Sequence, residues 1–335
     1  MNIKMADVAR EAQTSIATVG RVIHNNGYVS KEVRERIEKA IAALGYVPNQ
    51  SARTLKNNRS GMIGCLVVES DNGQYYRIVD AVIRAAQMRG FTCVTMETPQ
   101  GGDNQTQMIQ SMIGIHVDGL VIISNIGITP EQFALLKRFE TPVVAIERGY
   151  LEQGIDSLLV RDFDAVRDAV IRIAAKGHRR IALIAGEPNF DVEKQRVQGY
   201  YQALADIGIS KEEGLIRPAP DYTVSSGRKA MDKLFSLPSP PTAVMATADT
   251  LAAGALQAAY ARGFRIPEDL SIVGYDDVLS QSLSPAIDSV GLVLEGVGDM
   301  AMELLEQRRK TPDHPAERRD IQTYYADRGT VIPLG

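Results

Sequence analysis

The chain has 335 residues, 44% of them hydrophobic, and a formal net charge of −4 that taken alone argues against a nucleic-acid binder. The charge is unevenly spread: residues 1–60 hold ten basic and five acidic side chains and the rest hold 27 and 36, so a head that attracts phosphate is joined to a body that repels it. The length allows two or three domains, Met1-Asn2-Ile3-Lys4 opens no apolar run of signal-peptide length, and nothing approaches the roughly 18 apolar residues of a membrane span, so neither export nor insertion is expected.

The first elements are short. Two helical patterns flank Gln13-Thr14 within 7–23, with Val8, Ala9, Ala12, Val19, Val22 and Ile23 on one apolar face and Ile16, Ala17, Gly20 and Arg21 elsewhere. Ser15 can accept from the free N–H groups that open the second helix. Two helices joined by a tight turn, the second with small or basic residues outward, make a helix–turn–helix that fits a DNA major groove. The bland alternative is a small helical cap on an enzyme. A third helix is predicted over Lys31–Leu44, with Ser30 as N-cap, Val33, Ile37, Ile41 and Leu44 on one side and Gly45 as its stop. Pro48 then opens a segment that can form a helix of about eight residues, too short to persist alone.

From Met62 the pattern becomes strand–helix alternation. Apolar strands read Ile63–Val68, Thr92–Met96, Gly119–Ile123 and Val143–Ile146, with helices near 75–89, 104–114 and 130–138. A second series reads Ser157–Val160, Ile181–Ala185, Ala243–Ala246 and Ser271–Tyr275, with helices near 163–176, 190–207, 224–235 and 249–262. Continuous apolar strands between helices imply parallel sheets covered on both faces. Two series imply two similar lobes, with a ligand cleft beyond the carboxyl ends of the strands. Cys65 and Cys93, the only cysteines, lie inside apolar strands and read as free thiols of a reducing cytoplasm.

Asp7-Val8-Ala9, Ser15, Ala17-Thr18-Val19, Arg21-Val22, Tyr28-Val29-Ser30, Leu44-Gly45-Tyr46, Pro48-Asn49 and Ala52-Arg53 form a spaced set that resembles the LacI family of bacterial transcription regulators. The resemblance runs to about Arg328, through Ile63-Gly64, Asp118-Gly119, Gly177-His178-Arg179-Arg180-Ile181, Arg196, Gly199-Tyr200, Ala248-Asp249 and Val273-Gly274-Tyr275-Asp276-Asp277. It implies an all-α helix–turn–helix headpiece over 1–47, a hinge helix and linker over 48–60, and an α/β effector-binding and dimerisation body over 61–335. That body is expected to be periplasmic-binding-protein-like, type I. Its two parallel-sheet lobes would cover about 61–160 plus 291–320 and about 161–290 plus 321–335. It also implies a homodimer on a pseudo-palindromic operator. Ser15, Ile16, Ala17, Thr18, Arg21 and Tyr46 are the implied DNA contacts of the headpiece, with Asn49, Ala52, Arg53, Leu55 and Lys56 those of the hinge. Arg21 can bond a guanine, Ile16 and Ala17 offer only apolar contact, and Leu55 would wedge a base step in the minor groove.

The same resemblance places an effector pocket at Gln74, Tyr75, Ser124, Glu147, Arg148, Phe190, Arg196, Tyr222 and Asp276. Aromatic faces ringed by a carboxylate and an arginine suit a small polar ligand, a sugar, sugar acid or sugar phosphate. Plain packing is the alternative for Tyr75, and an interlobe ion pair the alternative for Arg196 with Asp276. Departures from the family pattern affect affinity rather than class: Gln13 for a turn glycine, Gly20 for a phosphate-touching serine, Lys4 for a capping threonine, Gln74 for an aromatic, Glu147 for the usual aspartate, and Leu292 for a glutamine.

No catalytic constellation stands out. Gly296-Val297-Gly298-Asp299-Met300-Ala301 mimics a dinucleotide fingerprint, but no strand–helix unit with a ribose-binding acid follows. His24, His116, His178 and His314 lack ligand spacing, so no metal or other cofactor is expected, and His178 reads as a helix-end residue. The absence of an apolar heptad tail favours a dimer over a tetramer. The expectation is a cytoplasmic, nucleoid-associated repressor that is not an enzyme and touches no membrane.

Overall fold

The computed structural model describes residues 3–23, 26–46, 59–69, 73–99, 102–124 and 126–334. The chain divides into two compact units, Met1–Ser60 and Gly61–Gly335. In the first unit, α1 (Met5–Glu11), α2 (Ile16–Ile23) and α3 (Lys31–Leu44) close over Val8, Ala9, Ala12, Val19, Val22, Ile37, Ala40 and Tyr46. The helical spacing of those apolar residues is what lets three short helices share one core. The turn after α1 passes through Gln13 at φ 49°, a left-handed backbone that favours glycine. Glutamine there carries a backbone cost that glycine would not. Ser30 sits at the N-cap of α3 but its side chain makes no cap bond there, and Gly45, left-handed at φ 61°, ends the helix.

In the second unit one sheet contains β1 (Met62–Val68), β2 (Thr92–Thr98), β3 (Gly119–Ile123), β4 (Val143–Ile146), β5 (Asp156–Val160) and β11 (Arg318–Ile321). Its order is β11-β5-β4-β3-β1-β2 and every pair is parallel. Helices α4 (Gln74–Met88) and α11 (Val297–Lys310) bury one face, against Ile63, Val67 and Leu158. Helices α5 (Gln105–Gly114) and α6 (Pro130–Arg138) bury the other, against Leu66, Leu120 and Ile122.

The second sheet contains β6 (Ile181–Ala185), β7 (Ile216–Pro218), β8 (Ala243–Ala246), β9 (Ser271–Asp276), β10 (Asp288–Leu292) and β12 (Thr323–Ala326). Its order is β12-β10-β9-β8-β6-β7, parallel except where β12 runs against β10. Helices α7 (Asp162–Ala175) and α8 (Asp191–Asp206) cover one face, and α9 (Val224–Phe235) and α10 (Asp249–Ala261) the other. The chain crosses between lobes three times: after β5, between β10 and α11, and between β11 and β12.

Two readings change. The strand over Ser157–Val160, grouped by sequence with the second series, pairs with β4 and β11 in the first sheet. Strands β7, β10, β11 and β12 and helix α11 were not foreseen. β7 is three residues long, and β11 carries Arg318, Arg319 and Asp320 in a four-residue run, so neither shows an apolar strand pattern. The Gly296–Ala301 motif has a packing explanation. It opens α11, and a Cβ on Gly298 would fall 2.1 Å from the Ala81 carbonyl oxygen, so glycine lets α11 lie close on α4. His178 is buried, with its ring nitrogens against Thr242 Oγ1 at 2.9 Å and the Ile332 carbonyl at 3.1 Å; burial lowers its pKa. It ties the chain's last segment to the second sheet. Cys65 and Cys93 are free thiols on adjacent strands.

Candidate functional site

Two surfaces qualify, one in each unit. In the headpiece, Ser15 Oγ accepts from Thr18 N–H at 3.1 Å and pairs with the Thr18 hydroxyl at 2.8 Å, so the predicted cap of α2 is formed. Val19 and Val22 face the core, whereas Ile16, 53% exposed, and Ala17 and Arg21 face solvent. None of these three holds the headpiece core together, which leaves this face of α2 free to meet a partner. Tyr46 departs from its expected place among them: it is 8% exposed and packs in the core of the three helices. Asn49, Ala52, Arg53, Leu55 and Lys56 lie outside the described residues.

In the body the candidate residues sit where sheets meet helices. On the second lobe, Phe190 and Arg196 come from the start of α8, and Asp276 ends β9 with φ 98°. Tyr222 precedes α9 with φ 52°, and its ring lies over Gly186, where an added Cβ would come within 2.1 Å of it. The Tyr222 hydroxyl accepts from Glu187 N–H at 3.2 Å, and its ring is parallel to Phe190, with centroids 6.5 Å and planes 9° apart. A fixed pair of aromatic faces therefore borders the cleft.

Arg196 is the centre of a buried network. Its Nε donates to Asp162 Oδ1 at 2.7 Å, and its Nη1 donates to Glu193 Oε1 at 3.2 Å and to the Thr247 carbonyl at 2.9 Å. Its guanidinium lies 4.0 Å from the centroid of Tyr275, whose hydroxyl donates to the same Asp162 oxygen at 2.8 Å. Burial opposes the charge on Arg196, but Asp162, Tyr275 and Glu193 outweigh it and hold the pKa above its ordinary value. All these groups belong to the second lobe, as does Asp276. The interlobe pair weighed for Arg196 and Asp276 is thereby corrected.

The first-lobe wall is built differently. Gln74 and Tyr75 open α4, Ser124 follows β3, and Glu147 and Arg148 follow β4. Ser124 turns its hydroxyl back to accept from Ile126 N–H at 2.9 Å. Glu147, at φ 82°, is half-buried, and no basic side chain bonds it among the described residues. Burial first, then the nearby Asp162 charge, push its pKa from 4.5 up to about 7, against the pull of Arg196. Burial and then Glu147, with Tyr222, likewise raise Tyr75. Arg196 and Asp276 also act on Tyr75, the first lowering and the second raising its proton affinity. Arg148 reaches over the mouth of the cleft to Asp191 at 3.3 Å, and Arg77 donates to the Asp277 carbonyl at 3.2 Å, so both contacts join the lobes.

Sequence reasoning missed Asp162, Glu193, Thr247 and Tyr275. Asp162 and Thr247 each follow a strand at its carboxyl end, the signal used for Glu147. Glu193 and Arg196 are three apart on α8 and so share a face, a spacing that could have flagged the pair.

Residues 4–49 match the model of bacterial regulatory proteins of the lacI family, and residues 170–331 match a periplasmic binding protein-like domain. The chain is 32% identical over 307 residues to catabolite control protein A of Priestia megaterium, covering 91% of this chain and 92% of that one. It is also 32% identical over 310 residues to the ribose operon repressor of Haemophilus influenzae, covering 92% of each. Among solved structures, a transcriptional regulator CelR–cellobiose complex is 30% identical with a TM-score of 0.73, covering 98% of this chain and 99% of that one. The lac repressor dimer bound to operator and an anti-inducer is 24% identical with a TM-score of 0.85, covering 99% and 100%, which shows the shared fold.

Proposed function

The chain belongs to the lacI family of bacterial regulatory proteins, and on that footing we propose how its two surfaces divide the work. It is a sequence-specific DNA-binding repressor, acting as a dimer, whose grip on its operator is set by a small sugar effector. It is a regulator and not an enzyme. Work on DNA assigns it to the cytoplasm and, as a finer proposal, to the nucleoid. Among the described residues no helix is long and apolar enough to cross a membrane.

The exposed face of α2 reads the operator, with Arg21 bonding a guanine edge and Ile16 and Ala17 meeting apolar base edges. Ser15 and Thr18 order the helix start, whose free N–H groups suit phosphate. The predicted hinge over 48–60 supplies the minor-groove contact. Tyr46 supports the reading surface from within the core. The effector site is the cleft, with Tyr75, Phe190 and Tyr222 as its aromatic faces and Glu147, Arg196 and Asp276 as its polar groups. The observation that carries this is the free face of α2: Ile16, Ala17 and Arg21 are exposed while the neighbouring Val19 and Val22 complete the core. Effector binding favours one lobe arrangement, and that preference changes the spacing of the paired headpieces.

Selection from random oligonucleotides with the full-length chain at low ionic strength tests this. A pseudo-palindromic site whose affinity shifts when a sugar is added is expected. Enrichment of no site overturns the regulator reading, and an operator indifferent to every sugar overturns the effector half.

A further inference from the structure

Several glycines of the body stand where no Cβ would fit. At Gly199, Gly227, Gly254 and Gly298 the nearest obstacle is the backbone of a neighbouring helix, so those residues let helices lie close. Gly186 differs. An added Cβ there would fall 2.1 Å from Cε1 and Cζ of Tyr222 and 2.3 Å from its hydroxyl oxygen, so a ring of the cleft excludes it. The backbone itself makes no demand for glycine, because φ at Gly186 lies outside the left-handed region.

Both partners of this contact are held. Gly186, just beyond the carboxyl end of β6, donates its N–H to Glu193 Oε2 and Thr247 Oγ1, each at 3.0 Å. The Tyr222 hydroxyl accepts from Glu187 N–H at 3.2 Å, and its carbonyl accepts from Thr250 Oγ1 at 2.5 Å. Tyr222 N–H donates to the Ala219 carbonyl at 3.2 Å. One face of the ring therefore lies on the backbone at Gly186, and only the other is left for a ligand. Phe190, parallel to that ring, sits on the same short segment between β6 and α8, which thus sets both aromatic faces. An ordinary contact begins near 3.4 Å, so a side chain at 186 would push the Tyr222 ring more than about 1 Å off the backbone.

We infer that Gly186 is a positioning residue of the effector site: its missing side chain sets where the Tyr222 face lies, and hence how tightly a sugar is held. This rests on the reading of the cleft as the effector site. A binding constellation works only when its groups are held to within about 0.5 Å, and the displacement exceeds that.

The test is calorimetric titration of the full-length dimer with ribose, glucose, galactose and cellobiose, in the wild type and in Gly186→Ala. At least one sugar should bind the wild type, and Gly186→Ala should weaken it tenfold or more. Fluorine NMR of protein labelled with 3-fluorotyrosine follows the ring itself, the Tyr222 signal being identified by its loss in Tyr222→Phe. That signal should move in Gly186→Ala without any sugar present. Should Gly186→Ala melt far below the wild type, adding it to Tyr222→Ala, where no ring remains to displace, should leave the melting temperature of Tyr222→Ala unchanged. A sugar bound equally by the wild type and Gly186→Ala overturns the inference while leaving the sugar-effector reading intact. So does weakened binding with an unmoved Tyr222 signal, or a double variant that melts below Tyr222→Ala. Binding of no sugar in the panel by the wild type overturns both.

Discussion

The two walls of the cleft meet the cost of burying charge in opposite ways. On the second lobe Arg196, Asp162, Glu193 and Tyr275 satisfy one another before any ligand arrives. On the first lobe Glu147 forms no ion pair among the described residues, and the charge of Arg196 only partly offsets its burial. The first arrangement couples ligand recognition to the integrity of the fold, because its groups hold each other in place. The second leaves a group whose charge a ligand can settle. The headpiece extends the contrast, since Ile16, Ala17 and Arg21 are exposed and can change without disturbing Val8, Val19 or Ile37 beneath them.

If the second-lobe wall is a self-satisfied network, Arg196→Ala strands two buried carboxylates. Chemical denaturation should show a loss of about 3–5 kcal/mol, together with lost effector binding. Arg196→Lys restores the charge without the fork that reaches two carboxylates and a carbonyl, so it should recover only part of either. A variant as stable as the wild type would remove the contrast between the walls. If headpiece recognition is separable from folding, Arg21→Ala should weaken operator binding by about 1–3 kcal/mol in gel-shift titrations while the melting temperature and effector binding stay put. Unaltered discrimination among operator variants would remove Arg21 from the groove.

Glu147 gives a pH signature. Its folded pKa of about 7 exceeds the ordinary 4.5, so between those values the folded state holds a proton that the unfolded state has lost. Stability therefore falls as pH rises through that window and levels off above it. Glu147→Gln should flatten this slope in effector-free melts and be the more stable protein above pH 7, by about 1–2 kcal/mol. An unchanged slope would place the titration elsewhere. The smallest effect belongs to the turn: Gln13→Gly relieves the left-handed backbone at φ 49° and should stabilise the headpiece by up to about 1 kcal/mol. A destabilised headpiece would show that Gln13 contributes a contact beyond its backbone.

Long apolar runs were legible in the sequence. Ile63–Val68 and Ile181–Ala185 could be only buried parallel strands, and the spacing of Val8, Val19 and Val22 could be only one packed face. What escaped was set by pairing rather than pattern. Residues 318–321 read Arg-Arg-Asp-Ile and become a strand because β5 offers an open edge beside them. Asp156 takes Arg308 from α11 at 2.8 Å and thereby joins segments some 150 residues apart, which no local window reveals. In the cleft, Arg196 and Glu147 were found through the family resemblance, but Asp162 and Glu193 were not. Their role depends on which strand ends and helix starts come to face one another, and that follows from the three crossings between lobes.

Reciprocal linkage tests the central claim most directly. Operator affinity of the full-length dimer is measured with and without a saturating sugar, and affinity for that sugar with and without operator. The account predicts one coupling factor from both directions, about fivefold or more from unity. A sugar that binds the cleft yet leaves operator affinity unchanged would contradict it.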